Sequence, residues 1–184
     1  MSGRSPAFLA LAVVSVLAAC NHNELRNTTV VTAADTADQV LEHLQHYITK
    51  AGVRQSLVEA DTAYYYEAAR RFELKGVKVT FYTSTGAPTS VLTSREGTYY
   101  MQNQNMEARG NVVVVSTDGR TLRSEKLRYD QATNKLSTDI AFTFDGPTAR
   151  GSGNGFVSDP DFRDVIIQQG RGLQRDGGFI PPGQ

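Results

Sequence analysis

The sequence has no tryptophan and only one cysteine, Cys20. A lone cysteine excludes an intramolecular disulfide, so the fold must hold by packing and backbone pairing. The three histidines, His22, His43 and His46, offer little to a metal centre. On a strand His43 and His46 point to opposite faces, and no cysteine or carboxylate cluster stands beside them, so no metal is expected. Lysine plus arginine and aspartate plus glutamate number 19 each, and that balance removes the basic face that nucleic-acid binding requires. No glycine-rich loop leads from a strand into a helix, which excludes a nucleotide phosphate cradle, and no cofactor is expected. Asp159, Asp161 and Asp164 surround Pro160 without the spacing of a calcium loop, and read as a solvated turn.

Long apolar runs are missing too. The longest, residues 7–19, falls short of the ~20 residues that a membrane-crossing helix needs. Arg4 precedes it, and Leu17-Ala18-Ala19-Cys20 closes it. Small residues before a cysteine at the end of such a run resemble the lipobox of bacterial lipoproteins. The resemblance implies that residues 1–19 are a signal peptide, and that Cys20 is acylated on its thiol and its new amino group. The alternative is an ordinary signal peptide with an incidental cysteine. Two or three acyl chains, at ~0.8 kcal/mol per buried methylene, hold a protein firmly to a membrane. Residues 20–36 are polar and aperiodic and read as a tether to a domain outside the cytoplasm.

What the chain has in quantity is repetition. Residue i resembles residue i+34: Gly52 with Gly86, Tyr65 with Tyr99, Glu73 with Glu107, Gly76 with Gly110, Val79 with Val113, Thr83 with Thr117. A period of this size marks one supersecondary unit copied and stacked, none of which closes a core alone. Eight tyrosines and eight phenylalanines, with many valines and threonines, favour strands. Residues 37–52 taken alone have helical spacing in Val40, Leu44, Tyr47 and Ala51, but Tyr47, Thr49 and Gly52 align with a strand and turn in the next copy. The repeat therefore predicts a strand over 39–49.

Four units follow, opening at Ala60, Ser94, Ser124 and Ser152, each a strand, a turn and a returning strand. The linkers at 85–88, 118–119 and 145–147 are turn chemistry. Alternation predicts inward columns: Val79, Val113, Phe142 and Ile167; Phe81, Val115 and Phe144; Tyr65, Tyr99, Tyr129 and Val157. Leu74 and Leu127 belong to the same apolar strip. Gly76 and Gly110 precede the columns and read as bulges that bend each strand. The expected fold is all-β, a jelly roll of stacked antiparallel hairpins over 37–169, with residues 170–184 as a flexible tail. No carboxylate pair recurs among the columns, and no enzyme is expected. The recurrent serines open strands and are not nucleophiles. Arg70, Arg71, Lys75 and Lys78 make a small basic cluster that reads as a solvated face, with contact to lipid phosphates as the alternative.

At these residues the chain resembles a known family. Stacked units of the form Ala60-Asp-Thr-Ala-Tyr-Tyr65 followed by Glu73-Leu-Lys-Gly-Val-Lys-Val79, and the segment from Met106 to Val114 with Leu122 to Tyr129, are similar to the LptC, LptA and OstA-like components of lipopolysaccharide export. Gly153 to Pro160 resembles the closing unit. The resemblance implies a β-taco jelly roll on the periplasmic face of the inner membrane; outer-membrane retention stays open. It implies lipopolysaccharide taken from an inner-membrane ABC transporter at the N-terminal edge and passed to an LptA-like bridge at the C-terminal edge. On that reading the columns and Leu74 and Leu127 line a lipid groove, and Phe162, Val165 and Ile167 form the partner edge. The competing expectation is an anchored scaffold with a closed core and no ligand.

Overall fold

The computed structural model describes residues 36–147 and 149–174. The expected signal peptide, Cys20 and most of the expected tether lie outside the described residues, as do residues 175–184.

Ten strands form one antiparallel sheet among the described residues. They are β1 (Gln39–Lys50), β2 (Val53–Tyr66), β3 (Arg71–Tyr82), β4 (Pro88–Tyr100), β5 (Asn105–Ser116), β6 (Thr121–Asp130), β7 (Lys135–Asp145), β8 (Ala149–Ser158), β9 (Ile166–Ile167) and β10 (Arg171–Gln174). From β1 to β8 each strand pairs with its successor, and β9 and β10 both lie against β8. The helical spacing of Val40, Leu44 and Tyr47 is thus overridden by tertiary pairing, as the repeat predicts.

Strands of 10–14 residues are long against the usual ~5–6 because each crosses the molecule twice, bending midway. The bends coincide with breaks in the ladder. Asp61 and Gly76 stand unpaired between Ala60↔Val77 and Thr62↔Lys75. The break recurs between Arg109 and Val112 on β5 and between Thr138 and Ala141 on β7. Gly76 sits at φ +61°, and a Cβ there would collide with the Asp61 carboxylate. The left-handed backbone and the close approach together require glycine.

The bends fold the sheet into two facing leaves. Tyr129 on β6 shares its cross-strand row with Phe72, far along β3 from Phe81, yet the rings of Phe81 and Tyr129 meet at 5.0 Å. His46 on β1 and Tyr99 on β4 meet likewise, at 5.2 Å. The core between the leaves runs from Ile48 and Val58 through Val79, Leu92 and Val114 to Leu122, Phe142 and Phe156.

Three expectations need correction. Beyond the β5 bend the columns are out of phase: Val112 and Val114 are buried, while Val113 is only partly covered and Val115 is 43% exposed. β3 uses one residue, Gly76, in its bend, whereas β5 places two, Gly110 and Asn111, opposite the single Glu125 of β6. The repeat is therefore 34 residues before the bend and 35 after it: Val79, Leu92 and Val114 share one cross-strand row. A similar bend at Gly155 (φ +88°) turns Phe156 inward and leaves Val157 partly exposed. Second, Phe162 is not an edge-strand residue but sits in a loop, 1% exposed. Third, the domain does not end at Gln169, because residues 171–174 form β10 against β8.

Candidate functional site

The interior of the folded sheet is the candidate site. Leu74, Val79, Phe81, Tyr99, Leu127, Tyr129 and Phe142 are buried in it, and Phe144, Val165 and Ile167 pack against it partly exposed. Tyr65 reaches it through Phe72, ring to ring at 4.9 Å, and Phe72 stacks in turn on Tyr99 at 6.5 Å. Sequence reading missed Ile48, Val58, Leu92, Val112, Val114, Leu122, Leu136 and Phe156, all 4% exposed or less. Val58 and Leu92 carried a signal, since they obey the 34-residue relation; Phe156 did not, since the bend beside it hides its phase.

Phe81 occupies a special position. Its cross-strand neighbours are Ser56 and Ser90, and Ser90 pairs with Ser116. All three serines are buried, so small side chains flank the ring and leave it room to reach across to Tyr129. Phe81 helps line an interior cavity of about 20 Å³, with Leu74, Val77, Leu92 and Leu127. Such a space holds about one water molecule, so this cavity is too small for an acyl chain. Phe81 also lines a depression of about 520 Å³ on the outside. One wall of that mouth is the β3–β4 turn, Thr83 to Thr85; the other includes Asn134 and Asp159 to Asp161. The Phe81 side chain therefore borders both the inner cavity and the outer depression.

The far end of the interior is stoppered. Phe162 meets Phe144 edge-on at 5.6 Å and Phe156 at 6.1 Å. Its backbone is left-handed, φ +56°, and its carbonyl accepts a hydrogen bond from Arg120 on the β5–β6 turn. Asp159 holds the loop by accepting from the backbone N–H of Arg163 (2.8 Å) and Asp164 (3.0 Å).

A family profile described as lipopolysaccharide-assembly, LptC-related, matches residues 7–167. The chain belongs to the LptC-related family. No curated protein gave a match. The family acts in lipopolysaccharide transport, in the periplasm at the inner membrane, and is a transport and scaffold family.

Electrostatics around the site of this LptC-related protein fit a dry interior with charge kept outside. Burial pushes the Tyr129 hydroxyl up to about 12, so it stays neutral and donates to Asn134 Oδ1 at 3.0 Å. Partial burial lowers the pKa of His46, whose Nε2 lies 3.3 Å from the Tyr99 hydroxyl. On the outer face Lys75 pairs with Glu96 at 2.5 Å and Lys78 with Glu59 at 2.8 Å, the solvated basic face expected there. Arg109 joins Glu73 at 3.2 Å and Glu107 at 2.8 Å, and Arg128 continues the ladder to Glu107 at 3.1 Å. Among the described residues no group of three or more histidine, cysteine or acidic side chains is placed to hold a metal ion.

Proposed function

We propose that this chain is an anchored periplasmic relay for lipopolysaccharide, taking the lipid from an inner-membrane ABC transporter and passing it to an LptA-like bridge. The observation that carries the reading is the unbroken apolar interior, from Ile48 through Phe81 and Val114 to Phe156, inside a member of the LptC-related family. At ~25 cal/mol per Å² of apolar surface, acyl chains held between the leaves gain many kcal/mol over water. Entry requires the leaves to part, and the bends give the hinge. The family match begins at residue 7 and so takes in the apolar run before Cys20, which supports attachment of the N-terminus to the inner membrane. Acylated Cys20 is the anchor on this reading. The N-terminal edge, β1, meets the transporter and the C-terminal edge, β9 with β10, meets the bridge.

The closed interior favours a second reading. A space of about 20 Å³ suits a scaffold whose core never opens. Photocrosslinking amino acids at Val114, Phe142 and Val113 separate the two. The relay predicts lipopolysaccharide adducts at Val114 and Phe142 and none at Val113, which faces outward. Adducts at none of them, in cells actively exporting the lipid, leave the scaffold. Mass measurement of the peptide beginning at Cys20, after separation of the two membranes, tests the anchor and its location.

A further inference from the structure

The outer face of the last strands carries a cluster that the relay reading does not use. Register fixes it. Arg123 on β6 stands opposite Thr143 on β7, Thr143 opposite Ser152 on β8, and Ser152 opposite Arg171 on β10. Two arginines thus close the ends of one cross-strand row, ~14 Å apart at the backbone, with two hydroxyls between them. Arg150, two residues before Ser152 on the same face of β8, adds a third guanidinium. These side chains line a depression of about 410 Å³.

Its charge is unbalanced. The one carboxylate lining the depression is Asp145, which accepts from Arg150 Nε at 2.9 Å. Among the described residues neither Arg123 nor Arg171 has an acidic partner, whereas Lys75 and Lys78 on β3 and Lys126 and Arg128 further along β6 all do. Keeping unpaired guanidiniums together costs mutual repulsion, which a bound anion relieves. Arginine forks suit tetrahedral and planar oxyanions through paired N–H donors, and serine and threonine hydroxyls supply the remaining donors. The row rests on paired backbone along β6, β7, β8 and β10, so the positions that carry its donors are held at fixed spacing.

We infer that Arg123, Arg150 and Arg171, with Thr143 and Ser152, form a binding site for a phosphate monoester. A phosphorylated lipid headgroup and a soluble phosphate share that chemistry. The site lies outside the apolar interior and stands or falls separately from the relay reading.

The test is calorimetric titration of the full chain in detergent with inorganic phosphate, glucose 1-phosphate and dihexanoyl phosphatidic acid, with dihexanoyl phosphatidylcholine as the lipid lacking a monoester. Binding of the monoesters but not of phosphatidylcholine is expected, weakened about tenfold or more in Arg123→Gln/Arg171→Gln and partly restored in Arg123→Lys/Arg171→Lys. Tighter binding of phosphatidic acid than of glucose 1-phosphate assigns the site to a lipid headgroup, and equal binding assigns it to soluble phosphate. No monoester binding at millimolar concentration overturns the inference, as does binding unchanged in the glutamine variant. If the double variant loses its β-sheet circular dichroism, single Arg123→Gln gives the same comparison. The interior crosslinks report on the relay independently.

Discussion

Phe81 of β3 and Tyr129 of β6 meet across the two leaves, ring centroids 5.0 Å apart and planes 59° to one another. Phe81 lines both the interior cavity and the outer mouth, so truncating it is expected to open one toward the other. Phe81→Ala should cost ~3–5 kcal/mol by denaturant unfolding, as large-to-small changes of buried aromatics do. It should also raise uptake of an environment-sensitive apolar dye by the folded protein. Equal dye uptake in both forms would show that the ring does not guard the interior.

The bend at Gly76 predicts a larger penalty than the turn at Gly119. Both sit at positive φ, +61° and +86°, but only Gly76 has a neighbour, the Asp61 carboxylate, where a Cβ would go. Gly119→Ala should cost ~1 kcal/mol, the backbone term alone. Gly76→Ala should cost clearly more, and Asp61→Ala in the same chain should recover part of the difference.

The shifted phase of β5 is directly testable. Val114 is fully buried and Val115 is 43% exposed. Val114→Ala should lower stability by ~2 kcal/mol, and Val115→Ala should stay within ~0.5 kcal/mol. Reversed magnitudes would restore the unshifted repeat.

Much of the architecture was readable because pairing and period are the same fact in a meander: residues 34 apart lie two strands apart. Tyr65, Tyr99, Leu74 and Ala108 obey this up to the bend. Beyond it the reading of Val113 and Val115 fails, because Gly110 marks a bulge without stating how many residues the bulge consumes. Phe162 was misplaced for a different reason. Its backbone left-handedness and its contacts with Phe144 and Phe156 come from chain reversal after Pro160, and alternation carries no trace of that. The contacts across the leaves, His46 with Tyr99 and Phe81 with Tyr129, depend on how far the sheet folds, which no local pattern encodes. The arginine row is not legible in the sequence because Arg171 of β10 falls in a glycine-rich stretch without periodicity.

The loop that carries Phe162 should respond to acid through two carboxyl groups whose pKa values are shifted in opposite directions. Burial alone would raise Asp159, but hydrogen bonds from Asp161, the N–H groups of Asp164 and Arg163, and Ser158 hold it down at about 2. Its contribution is therefore present above its ordinary value of 3.8 and lost as pH falls toward 2. Burial and then Asp159 itself raise Asp161, so its cost appears as pH rises through its elevated value. Unfolding curves should show Asp159→Asn destabilised near pH 7 and converging on the parent in strong acid, while Asp161→Asn is stabilised near pH 7.

His46 predicts a separate transition at milder pH. Its folded pKa lies below 6.5, so the neutral form belongs to the native state. The associated stability is present above 6.5 and lost as pH falls through the lowered value. Melting temperatures at about pH 7.5 and pH 5 should differ less in His46→Gln than in the parent chain.

The two rims of the sheet are unequal. Among the described residues β1 offers 12 continuous residues with no neighbour on its free side, while the opposite rim is broken into β9, with two residues, and β10, with four. An incoming strand finds a long template at one end and an interrupted one at the other. Were such modules joined rim to rim, the row would have a built-in polarity, the long rim of each facing the interrupted rim of the next.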